Sequence, residues 1–155
     1  MFHAFFIRLF CGDNEYFIIF AAMNDAQRIS VIINTYNAER HLEAVIEAVK
    51  DFDEIVVCDM ESTDRTLDIA RSYGCKVVTF PKGDLEPARQ FAIDKAGSPW
   101  VLVVDADEIV TPALRKYLYA AIRKADCPDA IAIPRKNYFM GRMMHSSYPD
   151  YIVRF

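Results

Sequence analysis

In the stretch VLVVDADEIV, an apolar run over residues 101–104 ends in three carboxylates, Asp105, Asp107 and Glu108, set within four positions. Like charges this close repel and raise one another's pKa, so either water solvates them or something positive sits among them. Asp105 and Asp107, with Ala106 between them, stand at i and i+2, and in extended chain both side chains leave one face with Cα atoms about 7 Å apart. A modest bend lets both approach one ion or one ligand. Hard carboxylate oxygens suit Mg²⁺ or Mn²⁺, and an ion held by one or two protein carboxylates usually completes its shell with water and substrate phosphates. On the competing reading, Asp107 and Glu108 simply precede a helix and favour its positive end by about 0.3–1 kcal/mol. Thr111 already offers that helix a cap, which weakens the alternative.

Two other polar groups follow apolar runs in the same way. The run over residues 29–36 ends in Asn34, Thr35, Tyr36 and Asn37, and the run over 54–60 is followed by Glu61, Ser62, Thr63 and Asp64, with Asp59 just before its end. Taken singly, Asp59 reads as a turn residue, Ser62 to Thr66 as caps and Tyr36 as a core aromatic. Taken together they line one edge, because ligands of open parallel sheets bind beyond the carboxyl ends of the strands. Arg89, on a helix between the third and fourth strands, either reaches a phosphate there or is a solvated helix arginine. His41 and His145 have no spacing that pairs them as metal ligands and read as surface histidines.

The elements that must position these residues alternate regularly. Residues 29–36, 54–60, 76–80 and 100–106 read as β-branched strands buried on both faces. Between them lie amphipathic helices: one over 38–50 capped by Asn37, one carrying Leu67, Ile69, Ala70 and Tyr73 and closed by Gly74, and one over 86–96 ended by Gly97. Thr111 and Pro112 start a fourth helix as cap and first-turn proline, and AIAIPRKNYF reads as one further strand. Strands alternating with helices imply an α/β fold with a mostly parallel sheet and helices on both faces.

The 155 residues suffice for one domain with a sizeable core; 53% are hydrophobic, 26% charged, and the net charge is -4. That acidity, with scattered Lys and Arg, excludes a general nucleic-acid binder. Cys11, Cys58, Cys75 and Cys127 form no C-x-x-C pair and fit reduced thiols rather than a disulfide framework. In residues 1–28 the two apolar runs are broken by Arg8 and by Asp13, Asn14 and Glu15, too short for a membrane span of about 20 residues. They read as an N-terminal extension, either non-native, with the product starting at Met23, or a disordered surface arm or weak membrane-surface anchor.

SVIINTYNAERHL, IVVCDMESTDRTLDIA and ARQFAIDKAGSPWVLVVDADEIV resemble, in order and spacing, the successive blocks of family 2 glycosyltransferases with the GT-A fold. NYFMGR and YIVRF are similar to segments of its lipopolysaccharide-core and β-glucosyltransferase-like branch. The resemblance covers residues 29–155 and implies a Rossmann-like GT-A nucleotide-sugar-binding domain that lacks its C-terminal part. It implies that Thr35, Tyr36, Asn37 and Glu39 line the base and ribose pocket with Asp59 against the base, that Arg89 lies near the nucleotide, and that Asp105 and Ala106 meet the ribose and diphosphate. Asp107 is implied as the ligand of a Mn²⁺ or Mg²⁺ ion. Gln90 stands where the family more usually has asparagine. The family's catalytic base lies beyond the D-x-D triplet, and no position here matches it.

The implied activity is metal-dependent, inverting transfer from a nucleotide-sugar donor, a UDP-sugar, to a glycan or lipid-linked acceptor. The implied setting is cell-envelope polysaccharide synthesis in the cytoplasm, at the inner face of the membrane, with peripheral membrane association and no nucleic-acid partner. The strand-like tail YIVRF has no turn or polar stretch after it and reads as a cut inside a larger domain. Two alternatives stand beside this: a nucleotide-sugar-binding fragment or interaction protein without turnover, and a haloacid-dehalogenase-like phosphatase. The phosphatase wants its D-x-D on an early strand, whereas three strands precede it here.

Overall fold

The computed structural model describes residues 6–11, 14–19, 25–145 and 150–155. Strands β1 (Phe6–Cys11) and β2 (Asn14–Ile19) pair antiparallel, and a short 3-10 helix, Asp25–Gln27, follows. Met23, the alternative start, lies outside the described residues. Then come β3 (Ile29–Thr35), α1 (Leu42–Val49), β4 (Glu54–Asp59), α2 (Thr66–Ser72), β5 (Lys76–Thr79), α3 (Leu85–Ile93), β6 (Trp100–Asp105) and α4 (Pro112–Ala121). Beyond α4 lie β7 (Ala132–Arg135), β8 (Tyr138–Phe139), β9 (Arg142–Met143) and β10 (Asp150–Val153).

The central sheet is parallel throughout, in the order β5-β4-β3-β6. Side chains alternate between its faces. Val31, Ile33, Val57, Leu102 and Val104 pack with Leu42, Val45, Ile46 and Val49 of α1, Ala70 of α2 and Leu118 of α4. Ile32, Val56 and Cys58 meet Ala88 and Ala92 of α3 on the other face. The expected α/β architecture with helices on both faces therefore holds. The inner strands β3 and β4 are legible as unbroken apolar runs because both faces are buried, whereas β5, expected to be buried too, is an edge strand with Lys76 and Thr79 exposed.

Local chemistry sets several boundaries. Thr111 caps α4, its side chain accepting from Leu114 N at 3.2 Å with Pro112 in the first turn. Gly74, at φ +71°, ends α2, and Cys75 N donates to Ala70 O behind it.

Two expectations are corrected. Asn37 does not cap α1, which starts at Leu42: at φ +50° its Oδ1 accepts from Thr63 N at 2.8 Å, and residues 38–41 form a turn. The expected single strand over AIAIPRKNYF is two, because Asn137 bonds Asp150 and Met140 and Gly141, both at positive φ, turn β8 back into β9.

The parallel sheet would leave β6 as an edge. Instead β10 pairs antiparallel with β7, and the chain just after it docks there, Arg154 O accepting from Val103 N at 2.8 Å. Phe155 is buried and stacks on Trp100 with ring centroids 5.2 Å apart. Arg154 is thereby carried to the end of β6.

Candidate functional site

Register brings the predicted residues together at the carboxyl edge: Thr35 aligns with Asp59, and Asn34 aligns with Asp105. Alternation then divides them between two faces. Thr35 and Asp59 share the parity of Ile33 and Val57, whereas Asn34 and Asp105 share that of Ile32 and Val103 and look toward α3.

On the first face, Thr35 Oγ1 donates to Asp59 Oδ1 at 3.2 Å, and Asp59 Oδ2 accepts from Ser62 N at 2.9 Å. Asp59 is 0% exposed, so both bonds satisfy a carboxylate that would otherwise be buried at high cost. The loops after β3 and β4 are joined throughout. Asn37 N donates to Ser62 Oγ, Ala38 N to Thr66 Oγ1, and Glu39 accepts from Arg65 N. Asn37 and Glu39 thus tie the two loops together with the side-chain oxygens read as ligand groups. Tyr36, 44% exposed, accepts from Lys82 Nζ at 2.6 Å.

On the second face the positive partner of the acids is arginine. Arg154, 9% exposed, donates from Nη1 to Asp105 Oδ1 at 3.1 Å and from Nη2 to Asp105 Oδ2 at 2.5 Å. Arg89 Nη2 reaches the same Oδ1 at 3.2 Å, and Arg154 Nη2 also reaches Glu108 Oε1 at 3.2 Å. Glu108 further bonds Arg135, which pairs with Asp150 at 2.7 Å. The Arg154 hydrogen bonds hold the Asp105 carboxyl below the usual carboxylate range, against burial that pushes it up. Glu108 Oε2 accepts from Asp105 N, which folds the DADE turn back on itself.

The three acids therefore do not converge on one point. Asp105 and Glu108 are held by guanidiniums, while Asp107 is exposed and makes no hydrogen bond or ion pair among the described residues. Asp107 lines a cavity of about 840 Å³ together with Glu108, Ile133, Arg135, Tyr138 and Arg154. Among the described residues no three His, Cys, Asp or Glu side chains cluster to cage a metal. What this arrangement fits is an ion held by one carboxylate and completed by ligand oxygens.

Other residues fall differently. Gln90 is exposed and bonds Asp94 along its own helix. His41 and His145 are exposed, as expected. Cys58, Cys75 and Cys127 are free thiols; burial pushes Cys58 and Cys75 up to about 11, which keeps them protonated and unreactive. Sequence reasoning placed Asn34 among the polar strand ends but gave it no role of its own. It is 7% exposed, and among the described residues neither Oδ1 nor Nδ2 has a partner; the buried Nε of Arg89 lacks one there too. Arg135, Arg154 and Lys82 were missed. Their only signal was an excess of acids that needed a counter-charge.

A parallel sheet whose strand ends gather a Thr–Asp pair, an arginine-clamped aspartate and an acid with no partner among the described residues defines an α/β protein with a candidate ligand crevice at its carboxyl edge. The Glycosyl transferase family 2 model matches residues 30–152, so the chain belongs to that family. An uncharacterized glycosyltransferase of Rickettsia bellii is 37% identical over 99 residues, covering 61% of this chain and 34% of the relative. The lipopolysaccharide core biosynthesis glycosyltransferase LpsC of Rhizobium meliloti is 30% identical over 118 residues, covering 73% and 44%. The crystal structure of S. aureus TarS 1-349 in complex with UDP superposes with a TM-score of 0.57 at 31% identity, covering 61% of this chain and 32% of that one. The chain thus spans about a third of the length of the first of these curated relatives. The fold is that of GT-A glycosyltransferases. Among the described residues no helix is long and apolar enough to cross a membrane.

Proposed function

We propose that the chain is the donor-binding part of an enzyme that transfers a sugar from a UDP-sugar to a glycan or lipid-linked acceptor with inversion. Asp107 carries the reading, being the DADE acid with no protein partner among the described residues, in the lining of a cavity of about 840 Å³. In the cluster around it, among the described residues, five carboxylates (Glu86, Asp105, Asp107, Glu108 and Asp150) face three guanidiniums (Arg89, Arg135 and Arg154) and Lys136, which lines the same cavity, an excess of one negative charge. A sugar diphosphate adds roughly two more, which favours a dication between them. Mn²⁺ or Mg²⁺ held by Asp107 would stabilise the charge that develops on the departing diphosphate.

The chain's own residues do the rest. We assign the base and ribose to the ends of β3 and β4: Tyr36 is exposed there, Thr35 and Asp59, buried and bonded to each other, fix the strand ends from within, and Asn37 and Glu39 join the two loops. Asp105 and Ala106 meet the ribose and diphosphate, with Arg154 fixing the Asp105 carboxylate. Asn34 and Arg89 Nε are buried polar groups without partners among the described residues, and leaving such a group unpaired costs about 1–3 kcal/mol, so they favour a polar ligand atom that reaches them. UDP in the TarS crystal structure supports a uridine nucleotide, and the name of LpsC supports a cell-envelope glycan acceptor. We place the reaction in the cytoplasm, at the inner face of the membrane, with peripheral membrane association.

A second reading, binding without turnover, draws on the share of the relatives that the chain spans. Inverting transfer needs a positioned Asp or Glu to take the acceptor proton, and the family places that base beyond the D-x-D triplet. Calorimetry with UDP, GDP and ADP in Mn²⁺, followed by a transfer assay on the same chain, tests both. UDP is expected to bind best, with little or no transfer. Equal binding of all three nucleotides would contradict the donor reading.

A further inference from the structure

Of the cations at the carboxyl edge of the sheet, Arg89, Arg135 and Arg154 are committed to carboxylates, whereas Lys82 is not. It lies on the loop between β5 and α3, and Glu61 accepts from its backbone N at 3.4 Å, holding the loop against the end of β4. Its ammonium donates to Tyr36 Oη at 2.6 Å and lies 4.3 Å from the centroid of the Tyr36 ring. No carboxylate bonds that ammonium among the described residues.

We infer that Lys82 is a recognition residue for the phosphate end of the nucleotide, held on Tyr36 until a nucleotide displaces it. The inference rests on Tyr36 lining the donor pocket. At 2.6 Å from Oη and 4.3 Å from the ring centroid the ammonium stands beside the hydroxyl at the edge of the ring, leaving the ring face to a stacking base, and a neutral phenol is a weak partner for an exposed ammonium. A lysine is a compact charge with three donors on a flexible four-carbon stem, so it can leave the ring and follow an anion a few ångströms away. The diphosphate of the same ligand supplies that anion, and a bond between two opposite charges is stronger than the ammonium's bond to a neutral phenol. The residue then favours a nucleoside diphosphate over the bare nucleoside.

The test compares uridine and UDP by calorimetry in Mn²⁺, on the wild-type chain, Lys82→Met and Lys82→Arg. Lys82 is exposed, so thermal unfolding of the variants should match wild type. UDP is expected to weaken about tenfold in Lys82→Met while uridine is unchanged, and Lys82→Arg should stay within about threefold of wild type for UDP. Added salt should then weaken UDP binding more in wild type than in Lys82→Met. Unchanged UDP affinity in Lys82→Met, or an equal loss for uridine and UDP, would overturn the inference while leaving the donor reading intact. No UDP binding by wild type would overturn both.

Discussion

Arg154 meets Asp105 fork to fork, Nη1 to Oδ1 at 3.1 Å and Nη2 to Oδ2 at 2.5 Å, across 49 residues of sequence. Such bidentate pairs fix direction as well as distance. Here the pair joins the end of β6 to the segment after β10, tying the strand that carries the D-x-D triplet to the last part of the chain.

Replacing Arg154 by Met keeps the stem and removes the fork. Because the Asp105 side chain is about a third exposed, the loss should fall below that of a fully buried pair, at about 2 kcal/mol of unfolding free energy. Lys at the same position restores the charge but not the bidentate geometry and should recover part of it. Urea unfolding measures both; a Met variant as stable as wild type would show that the pair holds nothing together.

The cap of α4 offers a smaller effect. Thr111 accepts from Leu114 N, so Thr111→Ala should destabilise by about 1 kcal/mol and Thr111→Ser by much less. Paired thermal melts of the two variants distinguish loss of the cap from loss of the methyl group.

Acid should destabilise the chain through Glu54. Burial pushes its carboxyl up, but hydrogen bonds from Ser30 Oγ, Gly97 N and Lys76 together hold it below the usual range. A carboxyl depressed in the folded state stabilises above its unfolded pKa of about 4.5, and that contribution is lost as pH falls through the folded value. Unfolding free energy measured from pH 7 to pH 3 should therefore fall at the acid end, and less steeply in Glu54→Gln.

How much was legible varied with the range of the interaction. The strands β3, β4 and β6 announce themselves as apolar runs, and Thr111–Pro112 and Gly74 mark helix ends by local backbone chemistry. Asn37 misled because a side chain suited to capping its own helix was taken by Thr63 N, 26 residues away. The Met140–Gly141 turn was missed because methionine is not a residue that marks positive φ. The need for positive charge beside DADE was readable from like-charge repulsion. That arginines supply it for Asp105 and Glu108 was not readable, since the pairings to Arg135 and Arg154 follow no sequence periodicity.

Titrating UDP into the wild-type chain and Asp107→Ala, each with and without Mn²⁺, asks most directly whether the free acid of the triplet holds a donor through a metal. Wild type should bind UDP at least tenfold more tightly with Mn²⁺, and Asp107→Ala should show no such gain. Equal manganese enhancement in both proteins, or none in wild type, would contradict the account.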